Sequence, residues 1–187
     1  MPSTRTNSRR CSSSSPPVQL LLSAGAAPNG HGDAIPLFEA VYRSNLPMVR
    51  MLVDAGADIH IRNSELDHVL SWSTTVELLR FFLERGVDPY TADSGGCTAL
   101  HFVCATGGTY DERFVELLCQ FGAVPERING DRKTAVDLVM DNLFPKFVRA
   151  LEPFVRDPDR KARIAEWWEV QKQRKQPKPS VQVDNLV

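Results

Sequence analysis

The 187-residue sequence predicts an all-α solenoid of about four to five helix–turn–helix repeats, with a disordered N-terminal tail and a C-terminal helix. Three observations carry that reading. Apolar residues recur three and four positions apart, as in Leu46, Val49, Leu52 and Val53, which is the period of a helix buried on one face. Glycines follow several of these stretches, at positions 25, 56, 86 and 122, spaced 31, 30 and 36 residues apart, where a helix ends on a left-handed residue. One unit also recurs in order: a polar turn, a short apolar helix, a loop, a second apolar helix and a glycine.

The fullest copy runs from Asp93 to Ala123. Thr98 stands before the apolar run and can cap its helix by accepting from a free backbone N–H. Thr98-Ala99-Leu100-His101-Phe102-Val103 resembles the T-P-L-H-x-A motif of the ankyrin-repeat family, with Ala in place of Pro and Val in place of the small Ala. The resemblance implies that His101 bonds across to neighbouring backbone, a structural histidine rather than a ligand or a base.

The other copies depart from this one in definite ways. Val18 to Asn29 has the second helix of a repeat and its glycine but no first helix. Either the chain starts in mid-repeat or this helix is a bare cap. In the next copy, Ile35-Pro36-Leu37-Phe38-Glu39-Ala40 keeps Pro, Leu and Ala of the motif and loses Thr and His. Pro47 falls in the first turn of its second helix, where a missing N–H costs nothing. Residues 61–92 form a degenerate repeat, with a first helix expected near Leu66 to Trp72, a turn before Leu66 that reads as shortened, and a clear second helix from Val76 to Leu83. In the fullest copy Leu100 and Gly122 lie 22 residues apart, against 19 from Leu37 to Gly56. The excess is placed in Gly107 to Asp111, a loop away from the turn fingers. The last repeat, Arg127 to about Phe154, carries Thr134-Ala135-Val136-Asp137-Leu138, which resembles the T-A-x-D-L variant of terminal repeats. A terminal unit with an atypical outer face suits the solubility of a solenoid.

Outside the repeat block of 18–156, residues 1–17 are Ser-rich and too polar to offset their ordering entropy. Ser12 to Ser15 after Arg9-Arg10 are either a solvated tail or phosphorylation sites. Residues 157–176 read as a capping helix that docks one of the adjacent Trp167 and Trp168 on the last repeat, or else as a partner-binding helix. Residues 177–187 read as a flexible tail.

Composition excludes several function classes. The net charge is −1, yet residues 18–157 hold 12 Lys/Arg against 19 Asp/Glu, a charge of −7. An acidic body with basic tails is not a nucleic-acid-binding pattern. Cys11, Cys97, Cys104 and Cys119 form no CxxC pair and no metal-like spacing, which points to buried thiols in a reducing compartment, cytoplasmic or nuclear. No apolar run reaches the length of a membrane span, and no secretory leader pattern opens the chain. Nucleophile elbow, P-loop, dinucleotide glycines and zincin helix are all missing, so no enzyme and no cofactor is expected.

The resemblance implies a monomeric scaffold or adaptor that binds a partner protein on the concave ankyrin surface. The alternative is a non-catalytic accessory factor, or a fragment, of a larger enzyme or biosynthetic system. Family geometry points to Tyr42, Arg43, Arg62, Trp72, Tyr90, Ser94, Arg127 and Arg132 as the partner-binding residues, with His31, Thr106 and Asp141 at related positions. Tyr, Trp and Arg are the types that carry interface energy, although Trp72 fits the core equally well. The acidic body favours a partner with a basic patch.

Overall fold

Short helices follow directly from the short apolar runs, and a computed structural model describes residues 16–30, 35–108 and 110–175 of the chain. The described residues form nine α-helices, one 3₁₀ turn and no strand. They fall into two compact units divided between Val87 and Asp88, each taken by itself below.

The first unit holds α1 (Pro16–Ser23), α2 (Pro36–Tyr42), α3 (Leu46–Asp54) and α4 (Val76–Leu83). Asn45 caps α3 by accepting from the Met48 N–H at 3.1 Å, and Thr75 caps α4 through the Leu78 N–H at 3.2 Å. Leu37, Ala40 and Val41 of α2 are buried, as are Val49 and Leu52 of α3, which packs on it. Leu78, Leu79 and Phe82 bury the inner face of α4. On α1, by contrast, Leu20 and Leu21 remain exposed.

The second unit holds α5 (Ala99–Thr106), α6 (Glu112–Gln120), α7 (Ala135–Asp141), α8 (Pro145–Leu151), the 3₁₀ turn Glu152–Phe154, and α9 (Pro158–Lys175). Helix α5 packs on α7 and α6 on α8, so helices stack in two layers. Isolated antiparallel bridges, Ala92 with Thr98 and Ile128 with Thr134, close the turn fingers at the base. At their tips the Gly130 N–H donates to the Gly95 carbonyl at 2.8 Å. A Cβ on Gly130 would sit 2.6 Å from that oxygen, so this close approach needs glycine.

The degenerate repeat differs from expectation in two linked respects. Its turn is complete. Asn63 Oδ1 accepts from the Glu65 and Asp67 N–H groups, as Asp93 Oδ1 does from Gly95 and Cys97 and Asn129 Oδ1 from Asp131 and Lys133. The third residue after each of these, Leu66, Gly96 and Arg132, has φ of 64°, 74° and 61°. What is missing is the first helix. Residues 68–73 form two successive turns, with Ser71 N–H bonded to the His68 carbonyl and Ser73 N–H to that of Leu70. In this register Leu70 lies five residues before the cap of the next helix, whereas Leu37 lies eight before Asn45 and Val136 eight before Phe144. Three residues are lost, close to one helical turn, and the remainder is too short to close an α-helix. Val69 and Leu70 are nonetheless fully buried, so the shortened segment still fills its layer.

The insertion has the opposite sign: Leu100 lies eleven residues before its cap, Asp111. The extra loop is not peripheral. Tyr110 is buried, its ring edge-on to Phe114 at 4.9 Å and to Phe102 at 6.3 Å, and its carbonyl accepts from Lys146 Nζ at 2.9 Å. Tyr110 therefore belongs to the packed interior of this unit, although its loop lies away from the turn fingers.

The tail expected over residues 1–17 lies outside the described residues as far as Ser15, and α1 begins at Pro16. Residues 176–187 lie outside them as well.

Candidate functional site

In the first unit, the outer side of α2 and the turn 63–72 enclose an open groove of about 740 Å³. Ile35, Pro36, Phe38 and Tyr42 form the α2 wall, with Glu39 between them. Asn63, Ser64 and Trp72 form the other. Trp72 meets Phe38 edge-on at 5.9 Å and Tyr42 at 6.0 Å, so three rings line one surface. Its indole N–H donates to Asp67 Oδ2 at 3.1 Å, which also accepts from Asn63 Nδ2 at 3.0 Å. Trp72 is 36% exposed and Tyr42 65%. Trp72 therefore faces the groove rather than filling the core.

Two of the expected binding residues thus converge, Tyr42 and Trp72. Arg43 stands beside them at the end of α2, paired with Glu39. Arg62 opens the same turn and donates to the Leu66 carbonyl at 3.3 Å. The sequence reading missed Phe38, Glu39 and Asn63. A signal for Phe38 was present: it occupies the motif position that holds His101 in the fullest copy. A ring without hydrogen-bonding nitrogens there needs an apolar neighbour, and Trp72 is that neighbour.

In the second unit Tyr90 and Arg127 form a separate pair. The Arg127 guanidinium lies 4.5 Å from the Tyr90 ring centroid and donates to the Tyr90 carbonyl at 2.5 Å. Ser94 and Arg132 are exposed on the two finger tips joined by Gly95 and Gly130. Asp141 pairs with Lys133 at 2.9 Å, and Thr106 Oγ1 donates to the Phe102 carbonyl at 2.8 Å. His31 lies outside the described residues. Tyr42 and Tyr90, expected on one face, belong to different compact units.

His101 is buried between fingers. Its Nδ1 faces the Thr98 N–H at 3.2 Å and the Thr98 hydroxyl at 2.9 Å, while Nε2 faces the Arg127 carbonyl at 2.9 Å. That network assigns the proton to Nε2, which donates. Burial pushes the His101 pKa below its ordinary value, against the backbone bonds to Arg127 and Lys133. The ring is thus held neutral and occupied at both nitrogens, which removes it from acid–base chemistry. Burial also raises the thiols of Cys104 and Cys119, the latter to about 12, with Glu126 adding to it. Neither is a ready nucleophile.

Among the described residues no group of three His, Cys, Asp or Glu side chains is placed to hold a metal ion. No described helix is long and apolar enough to cross a membrane. What the surface offers is shape, rings and charge.

Comparison with known families gives two matches. A family model described as ankyrin repeat matches residues 32–64, and one described as ankyrin repeats in many copies matches residues 68–119. Comparison with curated proteins gives no significant match. Ankyrin repeats are in general protein–protein interaction modules, and proteins built from them are typically non-catalytic. Over residues 32–64 and 68–119, where the hydrogen bonds trace the same fingers and helix pairs, the chain is built of ankyrin repeats.

Proposed function

We propose that this chain is a scaffold or adaptor without chemistry of its own, and that it holds a partner protein through the groove of its first unit. The observation that carries this is the exposed ring pair, Tyr42 and Trp72, on the wall of a groove of about 740 Å³. Exposed aromatic anchors in a concavity are the usual carriers of interface energy. Tyr90, Ser94, Arg127 and Arg132 supply further contacts from the fingers of the second unit. The charge of −7 over residues 18–157 favours a partner with a basic patch, by steering more than by affinity. We further propose a monomer in a cytoplasmic or nuclear setting, in keeping with the free thiols Cys97, Cys104 and Cys119.

A photo-crosslinking amino acid at position 42, in the full chain expressed in cells, tests the reading. One protein should crosslink at position 42 and be lost when Trp72→Ala is added. Crosslinks that form from a probe at exposed Lys172 on α9 but never from position 42 would move the site elsewhere.

A further inference from the structure

Aromatic rings in this chain repeatedly carry one of its own cations. Arg85 lies 3.6 Å from the Phe81 centroid, Arg127 4.5 Å from Tyr90, Lys146 5.0 Å from Phe147 and Arg149 5.7 Å from Trp168. The groove rings are different. Among the described residues Phe38, Tyr42 and Trp72 have only one another as ring partners and no described cation over them. The charged group on the groove wall is the Glu39 carboxylate. Asp67, which accepts from the Trp72 indole N–H, adds a second negative charge behind that ring. Aromatic faces are themselves electronegative, so rings and carboxylates together favour a cation.

We propose that this groove receives an arginine side chain from a basic segment of the partner, its guanidinium stacked on Trp72 and Tyr42 and paired with Glu39. The proposal rests on the groove being the interaction site and names what enters it. Guanidinium is preferred to ammonium because it is planar, weakly hydrated and able to stack and bond at once. The chain's own usage agrees, since Arg50, Arg85, Arg127 and Arg149 supply most of its cation–ring contacts. A groove of about 740 Å³ holds more than one side chain, which suits a short segment. Arg43 is the internal competitor. It holds Glu39 in an exposed pair, 69% and 53% accessible, and such pairs contribute little, so an incoming guanidinium can take its place.

The test is a titration of the isotopically labelled full chain with a short peptide carrying one arginine. It is followed at the Trp72 indole N–H resonance, which Trp72→Phe identifies. The arginine peptide should shift that resonance, and the same peptide with neutral citrulline should not. Glu39→Gln, an exposed change that leaves the fold intact, should weaken binding roughly tenfold. Arg43→Gln should strengthen it. Equal response to arginine and citrulline, or no effect of Glu39→Gln, overturns the proposal, and a lysine peptide that binds equally well overturns the choice of arginine. If changing Arg5, Arg9 and Arg10 together to Gln moves the Trp72 resonance before any peptide is added, the occupant is the chain's own N-terminal segment and not a partner. A protein that crosslinks at position 42 while the arginine peptide leaves Trp72 undisturbed keeps the interaction site and removes the arginine.

Discussion

One motif position shows how a residue type answers its surroundings. In the three repeats that keep a first helix it is Phe38, His101 and Asp137. Phe38 packs on Trp72, His101 bonds the Arg127 carbonyl of the next finger, and Asp137 bonds Arg160 and Arg163 of α9. His101→Ala leaves that carbonyl and the Thr98 N–H without partners and should cost about 1–3 kcal/mol in urea unfolding. The same histidine gives stability a pH dependence. Its folded pKa lies below the unfolded value near 6.5, so just below that pH the unfolded chain binds more protons. The His101 contribution is complete above about pH 6.5 and declines as pH falls below it. The His101→Ala variant should lose that part of the slope between pH 7.5 and 5.5; a slope equal to wild type would place the titration elsewhere. Tyr110→Ala removes a buried ring from between Phe102 and Phe114 and should cost roughly 3 kcal/mol, read as a lower melting temperature. Tyr42→Ala and Tyr90→Ala, at exposed rings, should leave the melting curve nearly unchanged while weakening partner binding.

At the scale of the element, the repeats tolerate a gain or loss of three residues because three is close to one helical turn. The deletion before Thr75 erases a first helix but leaves Val69 and Leu70 buried. The insertion before Asp111 lengthens the path and folds Tyr110 inward. Gly107 marks how tightly it folds: a Cβ there would meet the Phe144 ring at 2.0 Å. The last element is held differently. Ile164 of α9 is buried, Trp167 donates its indole N–H to the Met140 carbonyl at 3.3 Å, and Arg160 and Arg163 bracket Asp137. Burial alone would raise the Asp137 pKa, but the Thr134 hydroxyl and N–H and the two guanidiniums hold it down to about 2. The attachment is therefore present above about pH 4 and lost as pH falls toward 2. Asp137→Asn should speed amide hydrogen exchange in α9 at neutral pH while α5 and α6 keep their protection. Exchange in α9 that matches wild type would show that Ile164 and Trp167 suffice to hold it.

Across the molecule, helix is the dominant backbone state, and circular dichroism should show it without a strand component. A strand-rich spectrum would contradict the fold outright. The acidic stretch of residues 18–157 acts at longer range than any contact. Association with a basic partner should slow as salt rises, since exposed charges are screened beyond about 8 Å at physiological ionic strength. Under the proposed binding through the groove rings, the rate of dissociation should change much less.

The helix pairs and the terminating glycines were legible in the sequence, because each depends on local spacing and residue type, and the family resemblance supplied the structural role of His101. The exposure of Tyr42 was legible as well, as an aromatic on the outward side of a first helix. The register of the degenerate repeat was not, because its signal lies in side-chain hydrogen bonds of Asn63 that only the folded turn makes. Nor was the inward Tyr110, whose burial depends on Phe102 and Phe114 meeting it from two helices. The groove itself was decided by tertiary structure. Phe38 and Tyr42 lie one helical turn apart on α2, but Trp72 is 30 residues beyond Tyr42, so no local period joins it to them, and it meets them only because a first helix lost a turn and brought Trp72 against α2.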